Sequence, residues 1–233
     1  MNKSMTSKSY LVALSIIVIM VIGFSCADIP SQAPPLPEFM SKVRFIHTAT
    51  DLGEVGVVMD GTTKATLSFG QASAYFDEAA GRKLVRLDGG AANDTAMVRL
   101  DTDDVIAVYV VTRPDAEAPR FVKKAERRLY RDVTPADTLA KVLFAQMCDA
   151  TLAISVESIS GADTTTTEVS SGLAFTNFAW GSFATNGPSH TLIVKDGDAV
   201  VKSMALDLTG GKVYTEVLHN TVDNLSVAQL ENN

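Results

Sequence analysis

The chain has 233 residues, 46% hydrophobic and 20% charged, a globular composition that excludes an intrinsically disordered protein. Its 20 Lys+Arg against 27 Asp+Glu give a formal net charge of −7, a balance that argues against nucleic acid as a partner because it would not neutralise phosphates. Two Cys exclude a disulfide-dense scaffold, an iron–sulfur protein and a cysteine-rich zinc module.

Residues 1–25 read as a signal peptide. Lys3 and Lys8 precede an apolar run of 14 residues, 11–24 (LVALSIIVIMVIGF), which is shorter than the roughly 20 that a membrane span needs. Gly23-Phe24-Ser25-Cys26 then places small residues before a cysteine, as in a bacterial lipobox, with Gly23 where a leucine is usual. In this reading Cys26 becomes the N-terminus and carries lipid. Cleavage after Ala27, releasing a soluble chain, and an uncleaved anchor over 10–27 are the alternatives. All three put the folded part outside the cytoplasm, in the cell envelope or beyond it. Without residues 1–25 the chain holds 18 Lys+Arg and 27 Asp+Glu, a charge of −9. Such a balance predicts repulsion from anionic lipid and attachment through the lipid on Cys26 rather than through a basic face.

Residues 26–39 form a linker. Pro30, Pro34, Pro35 and Pro37 are half of the eight prolines and favour extended polyproline II. From residue 40 the pattern changes to short runs rich in Val, Ile, Thr, Tyr and Phe: 42–47, 56–60, 63–69, 72–76, 83–87, 96–100 and 105–112. Asp60-Gly61 predicts a tight hairpin turn, and Asp88-Gly89-Gly90 a second turn. Residues 116–131 are the most helix-friendly segment, but Pro119 interrupts them. They also fit a charged edge strand with Phe121, Val122 and Leu129 inward.

The pattern then restarts. Lys42-Val43-Arg44-Phe45 recurs as Lys141-Val142-Leu143-Phe144, and residues 55–60 (VGVVMD) as 152–157 (LAISVE). Phe69 and Ser73 match Phe178 and Ser182, Leu84-Val85 matches Leu192-Ile193, Met97 matches Met204, and Val110 matches Val217. Their common order predicts a duplicated domain, because a repeat near 100 residues is a domain rather than a solenoid unit. The boundaries are 40–133 for the first domain, 134–139 for a connector and 140–233 for the second. Short, regularly spaced strands make the fold class all-β, two tandem immunoglobulin-like β-sandwiches.

The first half, with Arg44 and His47 on its first strand, Asp51, the valine-rich run into Asp60-Gly61, Phe69-Gly70, Tyr75 and Ala80-Gly81, resembles the bacterial domain of unknown function 4397 family. The second half keeps less of the pattern: Gln146 replaces the histidine, and the polar stretch 158–171 replaces the Asp-Gly turn. The resemblance implies immunoglobulin-like sandwiches on exported proteins, often in tandem. It implies no established activity and no functional residues.

Candidate chemistry is sparse. His47 lies near Asp51, half of a possible triad, but no serine sits in a nucleophile-elbow motif. No spacing of His47, His190 and His219 or of the cysteines suggests zinc. The acidic turn Asp101-Thr102-Asp103-Asp104 and the loop of Asp88, Asn93 and Asp94 are oxygen-rich, yet neither has a calcium-loop spacing. Catalytic, metal and cofactor residues are therefore expected to be none. Phe175, Phe178, Trp180 and Phe183 form the densest aromatic stretch, and the single Trp of a small sandwich is expected in the core. Cys148 is expected to be a buried, inert thiol. Thr164–Thr167 falls in what reads as a flexible polar loop. Thr95, Thr138 and Thr164 each follow an Asp and are candidates for O-glycosylation.

The sequence thus predicts a noncatalytic, lipid-anchored envelope protein whose paired sandwiches bind an envelope protein or glycan. The competing class is an exported hydrolase or accessory enzyme with a site around His47.

Overall fold

The computed structural model describes residues 38–88, 95–113, 120–128 and 135–232. The signal peptide, Cys26 and all of the linker before Glu38 lie outside the described residues, as do Gly89-Gly90, Asn93, Asp94, residues 116–119 and Thr134. Among the described residues there is no α-helix.

Eight strands build the first repeat: β1 (Met40–His47), β2 (Val55–Met59), β3 (Thr62–Leu67), β4 (Phe76–Ala79), β5 (Gly81–Asp88), β6 (Thr95–Leu100), β7 (Asp104–Val110) and β8 (Phe121–Arg128). Eight more build the second: β9 (Leu139–Gln146), β10 (Leu152–Ser160), β11 (Asp163–Leu173), β12 (Phe178–Ala184), β13 (Ser189–Asp196), β14 (Ala199–Leu206), β15 (Val213–His219) and β16 (Ser226–Glu231). The first repeat forms sheets ordered β4-β1-β7-β8 and β3-β2-β5-β6. The second forms β12-β9-β15-β16 and β11-β10-β13-β14, the same order strand for strand. Even the unusual pairing recurs: β1 runs parallel to β7 and β9 parallel to β15, while every other pair is antiparallel. The chain is therefore all-β, two immunoglobulin-like sandwiches with one plan.

Alternation explains the cores. Val43 and Phe45, Val55, Val57 and Met59, Val85 and Leu87 point into the first sandwich. Val142 and Phe144, Leu152, Ile154 and Val156, Leu192 and Val194 point into the second. Asp60 and Gly61 both have positive φ (48° and 83°), the conformation of the tight hairpin turn that the dipeptide predicts between β2 and β3.

Registers correct parts of the sequence alignment. Val85 pairs with Met59 and Leu192 with Val156, so Val85, not Leu84, is the counterpart of Leu192. A one-residue slip had matched an outward side chain with an inward one. Val110 likewise corresponds to Leu218, each facing the end of its parallel partner strand. Phe69 corresponds to Phe175 rather than Phe178: the Gly70 N–H donates to the His47 carbonyl (2.8 Å), as the Thr176 N–H does to that of Gln146 (2.7 Å). Residues 158–171 are not a loop. They form the ends of β10 and β11, a hairpin from Ile159↔Thr164 to Ser155↔Glu168, because Thr and Val favour a pleated strand. The fourth strand starts at Phe76, the last residue of the segment 72–76 expected from the sequence. Residues 121–128 are an edge strand, but Phe121 and Val122 point to opposite faces, Phe121 to the first core and Val122 away from it.

A third apolar cluster joins the repeats. Ile46, Ala107, Tyr109 and Val111 of the first meet Ala145, Met147 and Val217 of the second, so the sheets containing β1 and β9 lie face to face. That is why β7 and β15 are buried at every position. Tyr109 is fully buried, its ring 5.6 Å from that of Phe178 and tilted 55° to it. A buried Tyr removes about 150–250 Å² from water, roughly 4–6 kcal/mol before conformational entropy is set against it. Every described strand pairing and all three clusters lie within residues 39–233, one compact unit with its own cores.

Candidate functional site

His47 closes β1 and is fully buried. The Ala49 N–H donates to Nδ1 (3.3 Å), which leaves the proton on Nε2, donating to the Gly53 carbonyl (2.8 Å). Burial holds its pKa below the usual histidine value, against a smaller upward pull from the Gly53 bond and Asp51. Asp51 does not bond His47. Both of its carboxylate oxygens accept from Nη1 of Arg120, each at 2.9 Å. Gln146, the counterpart of His47, makes the same two contacts: the Cys148 N–H donates to Oε1 (3.4 Å), and Nε2 donates to the Ala150 carbonyl (3.1 Å). An amide thus replaces the imidazole atom for atom in pinning the loop after the first strand.

The other candidate positions also make contacts within the fold. His190 bonds Ser158 and the Ala184 carbonyl. His219 is buried against Phe69 (5.2 Å between rings), and a Cβ on Gly70, at φ +79°, would come within 3.3 Å of it. Asp101 is held by Arg99 and Lys123, each at 3.2 Å. Among the described residues no three His, Cys, Asp or Glu side chains converge on a metal site. Cys148 is buried, and burial pushes its thiol up to about 11, so it stays protonated. Thr95, Thr138 and Thr164 are all exposed.

Sequence reasoning missed a buried polar network between the repeats. Arg44 donates to the Glu126 carboxylate and to Oδ1 of Asn232 (2.7 Å), and lies over the Tyr75 ring at 4.7 Å. The Tyr75 hydroxyl donates to the other oxygen of Glu126. Thr215 donates to the first at 2.7 Å, and Asn232 Nδ2 donates to Thr215 at 2.9 Å. Arg44, Tyr75 and Glu126 come from the first repeat, Thr215 and Asn232 from the second. Charged and polar residues within an apolar run, such as Arg44 in VRFIH, were the available signal.

Beside this network the repeats leave a cleft of about 500 Å³, lined by Lys123, Arg127, Lys141, Trp180, Gly181 and Ser182. Trp180 is not in the core. It shares the outward face of β12 with Phe178, but it lies at the edge of the contact between sheets and is 44% exposed. Only Phe183 of the aromatic stretch is fully in the second core.

On the outer face of β5 and β6, Arg82 stands opposite Arg99, Leu84 opposite Met97 and Arg86 opposite Thr95. Leu84 is 45% and Met97 60% exposed. Net charge does not report how charge is distributed.

No protein-family model and no curated protein matches the chain. Among solved structures it is similar to a candidate cell adhesion protein from Bacteroides ovatus, with 10% identity, 84% of this chain and 97% of that one covered, and a TM-score of 0.28. A candidate cell adhesion protein from Bacteroides uniformis shows 13% identity, 82% and 98% coverage and a TM-score of 0.27. A tip fimbrial protein from Porphyromonas gingivalis, truncated at its C-terminus, shows 10%, 84%, 100% and 0.29. With TM-scores below 0.5, these likenesses do not bear on the site.

Proposed function

We propose that this is a noncatalytic binding module of the cell envelope, exported and tethered through lipid on Cys26, with an envelope glycan or protein held at the cleft between its repeats. Trp180 carries the reading. An indole left in water at the mouth of a cleft, rimmed by Lys123, Lys141 and Ser182, offers a flat apolar face for stacking and polar groups to orient what stacks there. The noncatalytic part rests on His47, whose two ring nitrogens are held by backbone groups and whose contacts Gln146 reproduces without an acid–base group.

Trp180 is the only tryptophan, so its fluorescence reports on the cleft directly. Titration with solubilised native envelope is expected to shift its emission, and Trp180→Ala is expected to lower retention on that envelope by at least tenfold, as for a buried aromatic anchor. Retention untouched by Trp180→Ala would overturn the cleft reading. Turnover of an envelope substrate that vanishes in folded His47→Gln would overturn the noncatalytic one. Intact-mass analysis is expected to find acyl chains on Cys26; a mature chain starting at Asp28 would end the tether reading.

A further inference from the structure

The face formed by β5 and β6 is built against ordinary sheet chemistry. Arg82 and Arg99 are directly opposite on an antiparallel pair, where like charges are destabilising. Arg99 has a partial partner in Asp101 at 3.2 Å, while Arg82 and Arg86 have no ion pair among the described residues. Between the arginine rows, Leu84 and Met97 stand opposite each other and exposed. Asp88, at the far end of β5, is the one acid on the described part of this face of the two strands. Three arginines around two exposed apolar side chains, on a protein with an excess of acids, form a segregated cationic and apolar surface.

The second repeat shows that the fold does not require it. Counterparts in β13 and β14 place Ser189 for Arg82, Thr191 for Leu84, Ala205 for Met97 and Asp207 for Arg99, following the registers Val85↔Ala96 and Leu192↔Met204. Phe39 is 61% exposed and lines one shallow pocket, at the end of these two strands, together with Arg82, Arg99 and Leu100.

The geometry points to the outer face of β5 and β6 as a docking surface for an anionic lipid bilayer. This inference rests on the reading that the chain is membrane-tethered ahead of Phe39. The arginines meet headgroup phosphates, Leu84 and Met97 enter the interfacial layer, and the like-charge cost of Arg82 and Arg99 is relieved by the lipid charge. The 12 residues from Ala27 to Glu38 reach roughly 40 Å when extended, ample for the body to lie down on the surface that holds its anchor. Docked in this way, the first repeat faces the membrane and the cleft with Trp180 stays on the opposite side of the sheet that carries the surface.

The test uses the folded body, residues 39–233, without tether or lipid, in flotation with vesicles of phosphatidylcholine alone or mixed with phosphatidylglycerol. Binding is expected only to the anionic vesicles and is expected to weaken with added salt. Each arginine near such a surface is worth roughly fivefold in partition, so Arg82→Glu with Arg99→Glu is expected to lower it at least thirtyfold. Leu84→Ser with Met97→Ser is expected to lower it severalfold, and Lys195→Glu on the second repeat not at all. Equal binding to both vesicle types, no binding to either, or binding unmoved by the arginine reversals overturns the proposal. So does self-association through this face without vesicle binding. Acyl chains on Cys26 with a body that ignores vesicles would end this proposal and leave the tether reading standing.

Discussion

The two repeats share every strand, every sheet order and the parallel pairing of their first and seventh strands, yet they differ at four kinds of position. Arg44 has Leu143 as its counterpart, Val108 has Glu216, His47 has Gln146, and Arg82, Arg86 and Arg99 of the outer face have Ser189, Ile193 and Asp207. What is common is the apolar alternation that closes each sandwich. At these positions the change is mostly between polar or charged and apolar residues, and most of them lie where the repeats touch one another or face outward. Duplication thus preserved the packing and let polar residues diverge, so the differences mark where the pair became more than two copies.

The largest effect is expected from forcing the repeats to match at Arg44. Arg44→Leu copies Leu143 and leaves Glu126 buried without its cation, with only Tyr75 and Thr215 as donors. Removing one partner of a buried pair costs about 3–5 kcal/mol. Denaturant unfolding is expected to show that loss, and Arg44→Leu with Glu126→Leu to recover a large part of it. A single variant as stable as the parent would mean that the network does not hold the repeats together.

Glu216 reverses the comparison, because here the second repeat carries the awkward residue. It lies on the inward face of β15, fully buried, between Phe144 and Gln229 in register, whereas Val108 occupies the equivalent place. The Gln229 amide donates to the Asp207 carbonyl at 3.0 Å, so its pull on the carboxyl is second to burial, which raises the Glu216 pKa to about 7. A raised acid binds its proton more tightly in the folded state, so its cost is absent below the unfolded value of 4.5 and grows as pH rises to about 7. Glu216→Gln is therefore expected to gain about 3 kcal/mol on the parent between pH 4 and pH 8, read as the difference of two urea-unfolding series. A constant difference would show that the carboxyl finds a partner when ionised.

Much of this architecture was legible. Val, Ile and Phe runs, the Asp60-Gly61 turn and the common order of matches gave two β-sandwiches and their duplication. The one-residue errors at Leu84 and Val110 arose because matching by residue type ignores which face a side chain takes. The hairpin at 158–171 was hidden by its polarity, since a strand exposed on a sheet edge has no apolar alternation to show. Face-to-face packing of the repeats had one signal that went unread: residues 105–111, VIAVYVV, do not alternate, as a strand buried on both sides need not. Trp180 was legible as an aromatic but not as exposed, because its exposure depends on where a neighbouring domain stops. The buried place of Glu216 follows only from strand register.

The smallest effect is expected where the repeats have already exchanged one residue for another. His47→Gln introduces the second repeat's solution, and Gln146 shows that an amide reaches the same two kinds of backbone group. At pH 8 the change is expected to cost less than about 1 kcal/mol, whereas His47→Leu, which leaves the Ala49 N–H and the Gly53 carbonyl without their partner, is expected to cost about 1–3 kcal/mol. The two residues part company in acid. Burial lowers the His47 pKa, so the folded state resists taking the proton that the unfolded chain accepts near 6.5. Its neutral form costs nothing above that pH, and stability declines as pH falls from there through the lowered folded value. Gln146 has no such proton, so His47→Gln is expected to flatten part of the decline below pH 6.5 while envelope retention stays unchanged. Thermal unfolding at pH 8 and pH 5, with retention assayed in parallel, reads both. A steeper acid decline in His47→Gln, or retention lost from a protein that remains folded, would show that the imidazole does something Gln146 cannot.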